Sequence, residues 1–347
     1  MSVVKECFGR LADGREVSLY TIRTDRLCAA VTDLGAVLVR LETPDRDGKM
    51  KDIVLGYDDV EHYLDNPCCF GATVGPSANR IAGASFVIDG VEYHLPVNEK
   101  GNNLHSDKLF YKRMHDAQIV GDSVTFTLSL PDGDAGFPGN RTFAVTFTLT
   151  DEDLRIDYKA VSDKKTVINP TNHSYFNLAG EDSGSIAEQV LKMNSSFTTK
   201  VKSDLIPTGE IVSVEGTPFD FREGKPIGRD IDSDDEQMRF GGGYDHNFVI
   251  DGYTGDGSLL TAGEVYDPGS GRVMEVLTTL PGIQLYTSNG MTAEGGKNGR
   301  TYGPNSAYAL ETQFFPDNVH HDNFPKAIFG PGKDYASTTI YRFPACR

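Results

Sequence analysis

Five short segments of this 347-residue chain place histidine, carboxylate, arginine and amide side chains among aromatic and apolar residues. They are ANR at 78–80 with Arg80, GNNLHS at 101–106 with His105, NPTNHSYFNL at 169–178 with His173, GGGYDHNFVI at 241–250 with Asp245, and LETQFFPD at 310–317 with Glu311. Taken singly, each has an ordinary structural interpretation, such as a hydrogen-bonded histidine or an ion-paired arginine. Together they favour a sugar site, because aromatic faces cover the C–H patches of the ring while amides, arginine and carboxylates bind its hydroxyls.

Such a set of side chains supports proton transfer. A carboxyl group and an imidazole of matched pKa form a base and acid pair. Glu311 follows the apolar end of a predicted strand and precedes Phe314 and Phe315, so we expect its carboxylate either to be paired or to have its pKa raised by desolvation. For His173 we expect a pKa near the free value of about 6.5.

Motifs for other chemistries are missing from the sequence. There is no G-x-G-x-x-G after a strand, no phosphate-binding G-x-x-x-x-G-K-[ST] and no G-x-S-x-G nucleophile elbow. His320 and His321 are adjacent in a polar segment, which favours solvent exposure over metal binding. We therefore expect no cofactor and no metal.

The charge balance argues against anionic partners. Thirty-three Lys and Arg against 50 Asp and Glu leave a net charge of −17, with no basic run, so we expect no nucleic-acid partner and no binding to an anionic membrane. No apolar stretch is long enough for a transmembrane helix, and no signal-peptide pattern is visible. Five cysteines, an odd number, are typical of free thiols, and we expect a cytoplasmic protein.

The elements that must position these residues are predicted to be β-strands. Apolar and polar residues alternate over residues 123–130, 142–150 and 154–158, and over shorter runs at 86–88, 91–95 and 272–279. Asp89-Gly90 predicts a hairpin between two of these runs, and residues 60–64 one short helix. The acidic stretch 229–236 is interpreted as a loop. We predict an all-β fold with few short helices, a large antiparallel β-sandwich forming a single domain over residues 1–347.

The segments at 169–178, 241–250 and 310–317, with ANR at 78–80 and NNLH at 102–105 upstream, resemble the aldose 1-epimerase (galactose mutarotase) family. The resemblance runs from about residue 71 to about residue 325, in the family's motif order. It implies a large β "supersandwich" fold, agreeing with the strand pattern. It also implies an isomerase that interconverts the α and β anomers of a free aldohexose such as galactose or glucose, without a cofactor.

Residue roles follow from the same resemblance. Glu311 resembles the family's general base and His173 its general acid, while His105 resembles a second histidine near the ring oxygen. The residues that resemble the family's substrate-binding positions are Arg80, Asp245 and, with a weaker match, Asn79 and Gln284. The implied partner is a small monosaccharide, and the chain is expected to act as a monomer or homodimer.

This sequence departs from the family pattern at several positions. Ser106 and Asp107 stand where members often have two glycines, His115 lies in a region where members often have a tryptophan, and Gly290-Met291 follows a strand that we expect to end in a bulkier apolar residue. We expect these changes near the sugar site, where they put the substrate in doubt. The alternatives are an epimerase for another sugar, a glycoside hydrolase using Glu311 and Asp245, and a non-catalytic sugar-binding module.

Overall fold

The computed structural model describes residues 2–347, with only the main chain of Lys108. In chain order, strands β1–β14 are Ser2–Arg10, Glu16–Arg23, Cys28–Thr32, Val37–Pro44, Met50–Asp52, Ala72–Val74, Arg80–Ile81, Ser85–Ile88, Val91–His94, Asn103–Leu104, Asp116–Val120, Ser123–Leu130, Arg141–Leu149 and Asp153–Ser162. Strands β15–β28 are Thr166–Val167, Thr171–His173, Tyr175–Phe176, Val190–Met193, Phe197–Val201, Pro207–Ser213, Lys225–Pro226, Asp245–Val249, Leu260–Tyr266, Val273–Thr278, Gly282–Tyr286, Tyr308–Gln313, Ile328–Phe329 and Tyr335–Arg342. The α-helices are α1 (Val60–Asp65) and α2 (Glu236–Gly241), and single 3₁₀ turns cover Ala82–Ala84, His105–Lys108, Asp134–Gly136, Ile227–Arg229 and Lys297–Gly299.

Three larger sheets organise these strands. A five-stranded sheet runs β1-β2-β3-β4-β5, a nine-stranded sheet runs β11-β12-β13-β14-β28-β24-β23-β18-β21, and a six-stranded sheet runs β17-β26-β25-β22-β19-β20. Two-stranded pairs such as β16-β6 and β10-β7 connect them, and within residues 2–347 every pairing of named strands is antiparallel. The all-β prediction is confirmed.

The sandwich arises because one face of the nine-stranded sheet is apolar. On that face Tyr341 of β28 contacts Phe176 of the six-stranded sheet, with ring centroids 4.8 Å apart, and its hydroxyl donates to the Leu310 carbonyl. On the same face Phe126 of β12 meets Tyr20 of the five-stranded sheet edge-on at 5.5 Å. Both smaller sheets therefore pack on the nine-stranded sheet, and a continuous apolar core joins all three.

Most local predictions agree with the structure. The strand predicted at residues 123–130 is β12, and Asp89-Gly90 joins β8 to β9 with both residues at positive φ, as a type I′ turn requires. The helix predicted at 60–64 is α1. The prediction of a loop up to residue 236 misses α2, which begins at Glu236 because the Asp235 side chain caps the amides of Gln237 and Met238. None of the described helices is long and apolar enough to cross a bilayer.

A close backbone approach at Gly71 anchors the strand pair that carries His173. Gly71 has φ of +63°, its amide donates to the His173 carbonyl at 3.1 Å, and a Cβ there would overlap the Leu38 carbonyl. Only glycine satisfies both the conformation and the contact.

We therefore expect Gly71→Ala to lower the free energy of unfolding by about 3 kcal/mol or more, combining left-handed strain with the backbone overlap. The matched control is Gly48→Ala, where φ is +78° and no atom lies within 4 Å of the added methyl, so about 1 kcal/mol of strain is expected alone. Denaturant unfolding measures both. Equal losses in the two variants would contradict the role of the Leu38 contact.

Candidate active site

Five polar side chains share one face of the six-stranded sheet. In the register of β22, β25 and β26, Asn247 lies opposite Gln284, which lies opposite Glu311, and Asp245 and Gln313 lie two residues along their strands from this row. Side chains two apart point to the same face of a strand. Leu310 and Thr312, which alternate with Glu311 and Gln313 along β26, face the core instead. One strand therefore contributes to both the sandwich and the site.

These amides form a hydrogen-bonded ladder that fixes Asp245. Gln313 Nε2 donates to Asn247 Oδ1 and to Gln284 Oε1, each at 3.2 Å, and Gln284 Nε2 donates to Asp245 Oδ1 at 2.7 Å. The other oxygen of Asp245 lies 3.8 Å from Arg80 Nη1. Asp245 is thus held by an amide on one side while its second oxygen faces the guanidinium.

Glu311 and His173 form the central pair. Glu311 Oε1 lies 3.5 Å from His173 Nε2, and their side chains are only 3% and 6% exposed. Burial raises the pKa of Glu311 to about 8, with a further increase from the Asp245 charge, and burial lowers the pKa of His173 to about 4. The expected rise for Glu311 agrees with the structure, but the expected value near 6.5 for His173 does not, because the imidazole is almost fully desolvated.

His105 lies against this pair from a different segment. Its ring meets that of His173 edge-on with centroids 5.2 Å apart, and its Nδ1 accepts the Asn79 amide at 3.2 Å. An accepting Nδ1 places the proton of the neutral ring on Nε2, which makes that nitrogen the donor end. Asn79 has φ of +58°, a conformation that asparagine tolerates, and its Oδ1 accepts the Arg80 amide at 2.8 Å.

One buried asparagine joins the segments that carry these groups. The Asn169 side chain donates to the Phe314 carbonyl at 3.2 Å and accepts the Phe314 amide at 2.8 Å, just beyond β26. Its main chain bonds Pro76 and Ala78, each at 2.7 Å, just before Arg80. Asn169, which precedes His173, therefore joins the residues directly after Glu311 to the residues directly before Arg80.

A cavity of about 430 Å³ opens over these residues. Six of the seven predicted site residues line it: Asn79, Arg80, His105, His173, Asp245 and Glu311. Gln284 lies behind Asp245 and positions it. Two larger surface grooves, of about 660 and 640 Å³, meet near Arg222, but no histidine is among their described lining residues.

Sequence reasoning missed several lining residues. Glu99 pairs with Arg80, and Tyr175 and Tyr286 supply aromatic surface, with ring centroids 6.0 Å apart. Nothing in the sequence distinguishes Glu99 from the other acidic residues. Leu104 and Tyr175 lie within the segments at 101–106 and 169–178, so the sequence could have indicated them.

The departures from the family pattern fall in different places. Gly290 and Met291 line the cavity as expected. His115 does not: it is buried beside Phe110, its Nδ1 lies 3.0 Å from the Arg113 carbonyl, and burial lowers its pKa to about 4. Ser106 is fully buried outside the lining, and Asp107 is exposed.

The donor set also bears on metal binding. Ligand atoms of His105, His173 and Glu311 lie within 4.8 Å of one another, so these three could hold an ion. His320 and His321 instead pair with Asp317, with nitrogen to oxygen distances of 2.6 and 3.3 Å.

Comparison with known proteins decides the family. The family profile described as aldose 1-epimerase matches residues 18–342. This chain belongs to the aldose 1-epimerase family. It is 38% identical to the galactose mutarotase of Rattus norvegicus over 99% of both chains, and 35% identical to the aldose 1-epimerase of Escherichia coli K12 over 96% of this chain and 97% of that one. A solved aldose epimerase homologue from C. elegans aligns with a TM-score of 0.87 at 30% identity, covering 95% of this chain and all of the other.

In this family member, we expect Asn169→Ala to lower the free energy of unfolding by about 2–5 kcal/mol, because the buried amide and carbonyl of Phe314 both lose their partner. We also expect kcat for sugar epimerisation to fall by about tenfold or more, since the base moves relative to the acid.

Asn140→Ala is the matched control, because this exposed asparagine also makes two side-chain hydrogen bonds, to Asp132 and Asp163. Denaturant unfolding and steady-state kinetics distinguish the two sites. If both variants lose stability and kcat equally, the joining role of Asn169 is wrong.

Proposed function

We propose that this protein interconverts the α and β anomers of a free aldohexose such as galactose or glucose, with Glu311 as base and His173 as acid. Membership of the aldose 1-epimerase family makes it an isomerase, and its 35–40% identical relatives include proteins named galactose mutarotase. The single observation that carries the residue assignment is the buried Glu311–His173 pair facing a cavity of monosaccharide size.

The reaction requires opening and closing of the hemiacetal. Glu311 removes the proton of the C1 hydroxyl while His173 protonates the ring oxygen, and the ring opens to the aldehyde. Rotation about C1–C2 exposes the other carbonyl face, and closure reverses both proton transfers. His105, with its proton on Nε2, is proposed to donate a hydrogen bond to the ring oxygen of the sugar.

The order of the two pKa values specifies how the pair enters this cycle. At neutral pH its one proton resides on Glu311, since burial raises the pKa of the carboxyl and lowers that of the imidazole. Opening the ring needs the proton on His173 and Glu311 as the carboxylate. Glu311 Oε2 is buried without a protein partner, so a substrate hydroxyl that donates to it favours the carboxylate, and the proton on Oε1 passes to His173 Nε2, which lies 3.5 Å from Oε1.

The substrate contacts are assigned from the lining. Arg80, Asn79 and Asp245 are proposed to bind ring hydroxyls, with Gln284 holding Asp245, while Tyr175 and Tyr286 cover apolar C–H surface. A glycoside hydrolase with Glu311 and Asp245 as its carboxylates receives less support, because Glu311 lies beside the His173 imidazole and one oxygen of Asp245 is held by Gln284.

We further propose that residues 1–347 act as one domain, as a monomer or homodimer in the cytoplasm, without a nucleic-acid partner. The shared core of the three sheets supports the single domain. The odd number of cysteines, five, supports the compartment assignment, and the net charge of −17 supports the partner assignment.

We expect Glu311→Gln and His173→Asn each to reduce kcat/KM for anomer exchange by about 10²–10⁴-fold, because each removes one proton-transfer group. Exchange NMR on α- and β-galactose and glucose measures the effect directly.

Matched controls are available for both changes. Glu181→Gln alters another buried glutamate whose pKa burial raises, and His115→Asn another buried histidine, and neither lines the cavity. Both should keep nearly full kcat/KM when folded. Full activity in Glu311→Gln, or no acceleration by the unmodified protein with any sugar, would disprove the assignment.

The pH dependence of kcat/KM follows from the pair holding a single proton. Above the raised pKa of Glu311, about 8, the pair has lost its proton and no acid remains; below the lowered pKa of His173, about 4, both groups are protonated and no base remains. We expect a plateau between these limits and a fall on each side, after subtraction of the uncatalysed rate. A profile still rising through pH 9.5 would refute the one-proton state.

A further inference from the structure

Glu99 lies in the sugar cavity, although no sequence motif includes it. It lines the cavity together with Arg80, Asp245, His173 and Glu311, and its side chain is 20% exposed. Its Oε2 lies 3.4 Å from Arg80 Nε, on a different atom of the guanidinium from the one that faces Asp245. Arg80 is therefore bracketed by two carboxylates.

Neither of these ion pairs is tightly closed. Charge-assisted N–H to oxygen bonds are about 2.7–2.9 Å long, whereas the Arg80 contacts measure 3.4 Å to Glu99 and 3.8 Å to Asp245. A sugar hydroxyl can donate to either carboxylate and accept from Arg80 without first breaking a short bond. The spacing suits a ligand with neighbouring hydroxyl groups.

The segment around Glu99 holds it in place. The Glu99 amide donates to the Asn102 carbonyl at 3.2 Å, and the Asn102 amide donates to the Glu99 carbonyl at 2.8 Å. The neighbouring Asn98 side chain bonds both the amide and the carbonyl of Leu104, at 2.7 and 2.8 Å. Leu104 directly precedes His105, so Glu99 is fixed relative to the histidine of the site.

Local charge then sets which ligands the cavity accepts. Arg80 is the one buried cation among the described lining residues, and Glu99 and Asp245 together more than cancel it. The nearby Lys100 is exposed, with its Nζ 3.9 Å from Glu99 Oε1. A ligand carboxylate or phosphate thus meets no uncompensated positive charge, whereas a neutral polyol finds both donors and acceptors.

We propose that Glu99 is a substrate-binding residue that accepts a hydrogen bond from a non-anomeric hydroxyl and, with Asp245, restricts the site to uncharged aldoses. This proposal rests on the proposed function for its catalytic readout. It assigns uronic acids and sugar phosphates to the class that the site rejects.

The test compares D-galactose with D-galacturonate, which differs by a carboxylate at C6. For Glu99→Gln we expect kcat/KM for galactose to fall about tenfold through KM, with kcat within about threefold, because a charge-assisted bond becomes a neutral one. The galacturonate to galactose ratio of kcat/KM should rise about tenfold or more. Glu99→Asp keeps the charge and should keep the discrimination of the unmodified protein.

Glu92→Gln is the matched control, since it removes the same charge from exposed strand β9 and should leave both sugars unaffected. Calorimetric titration of both sugars gives the same comparison without catalysis. An unchanged ratio and unchanged affinities in Glu99→Gln would overturn the role of Glu99. An unmodified protein that binds galactose but exchanges no anomers would refute the proposed function alone, and the affinities of the variants would still decide the role of Glu99.

Discussion

The two hydrogen bonds between the Asn169 amide group and the Phe314 backbone are the interaction on which the site depends. They join positions 145 residues apart in the chain, one shortly before the strand of His173 and the other directly after the strand of Glu311. Because the Asn169 backbone also bonds the residues before Arg80, one residue joins three segments from distant parts of the chain. Proton transfer tolerates little misplacement, so this fixation precedes any chemistry.

Period-two geometry lets one sheet serve two incompatible environments. In β26, Leu310 and Thr312 face the apolar core while Glu311 and Gln313 face the cavity, so the chemistry occupies every second position. The sandwich removes water from behind the strand, and that desolvation moves the pKa values of Glu311 and His173 in opposite directions. Burial thus stabilises the fold on the core face of β26, and on the cavity face it leaves Glu311 and His173 with one proton between them.

The sequence predicts β12 and β13, because apolar and polar residues alternate over eight or more residues in each, but it does not predict the equally long β1, β2, β4 and β28. It does not predict β16 and β17, which contain three and two residues and carry His173 and Tyr175. Strands this short have no period to detect. Their pairing with β6 and β26 depends on long-range contacts such as the Asn169 bonds, and helix α2 was missed because its acidic N-terminal flank resembles a loop.

Site residues were predictable where a motif surrounds them. The five predicted in this way all line one cavity: Arg80, His105, His173, Asp245 and Glu311. Their roles came from family resemblance and not from periodicity. Glu99 could not be predicted, because only the fold brings this one acidic residue to Arg80. The lowered pKa of His173 was also out of reach, since the degree of burial is a property of the packed sandwich.

The turn after His105 shows how a departure from the family pattern is accommodated. His105, Ser106 and Asp107 all have φ between 52° and 54°, a conformation that favours glycine, so the two glycines usual in the family have a clear physical reason. Here the buried Ser106 hydroxyl bonds both the amide and the carbonyl of Ser77 at 2.8 Å, which offsets strain. Ser77 in turn bridges to Asn169, so the strained turn is anchored to the same asparagine that aligns the acid and the base. Ser106 and Asp107 therefore act on how His105 is held, since neither lines the cavity, whereas Gly290 and Met291 do line it.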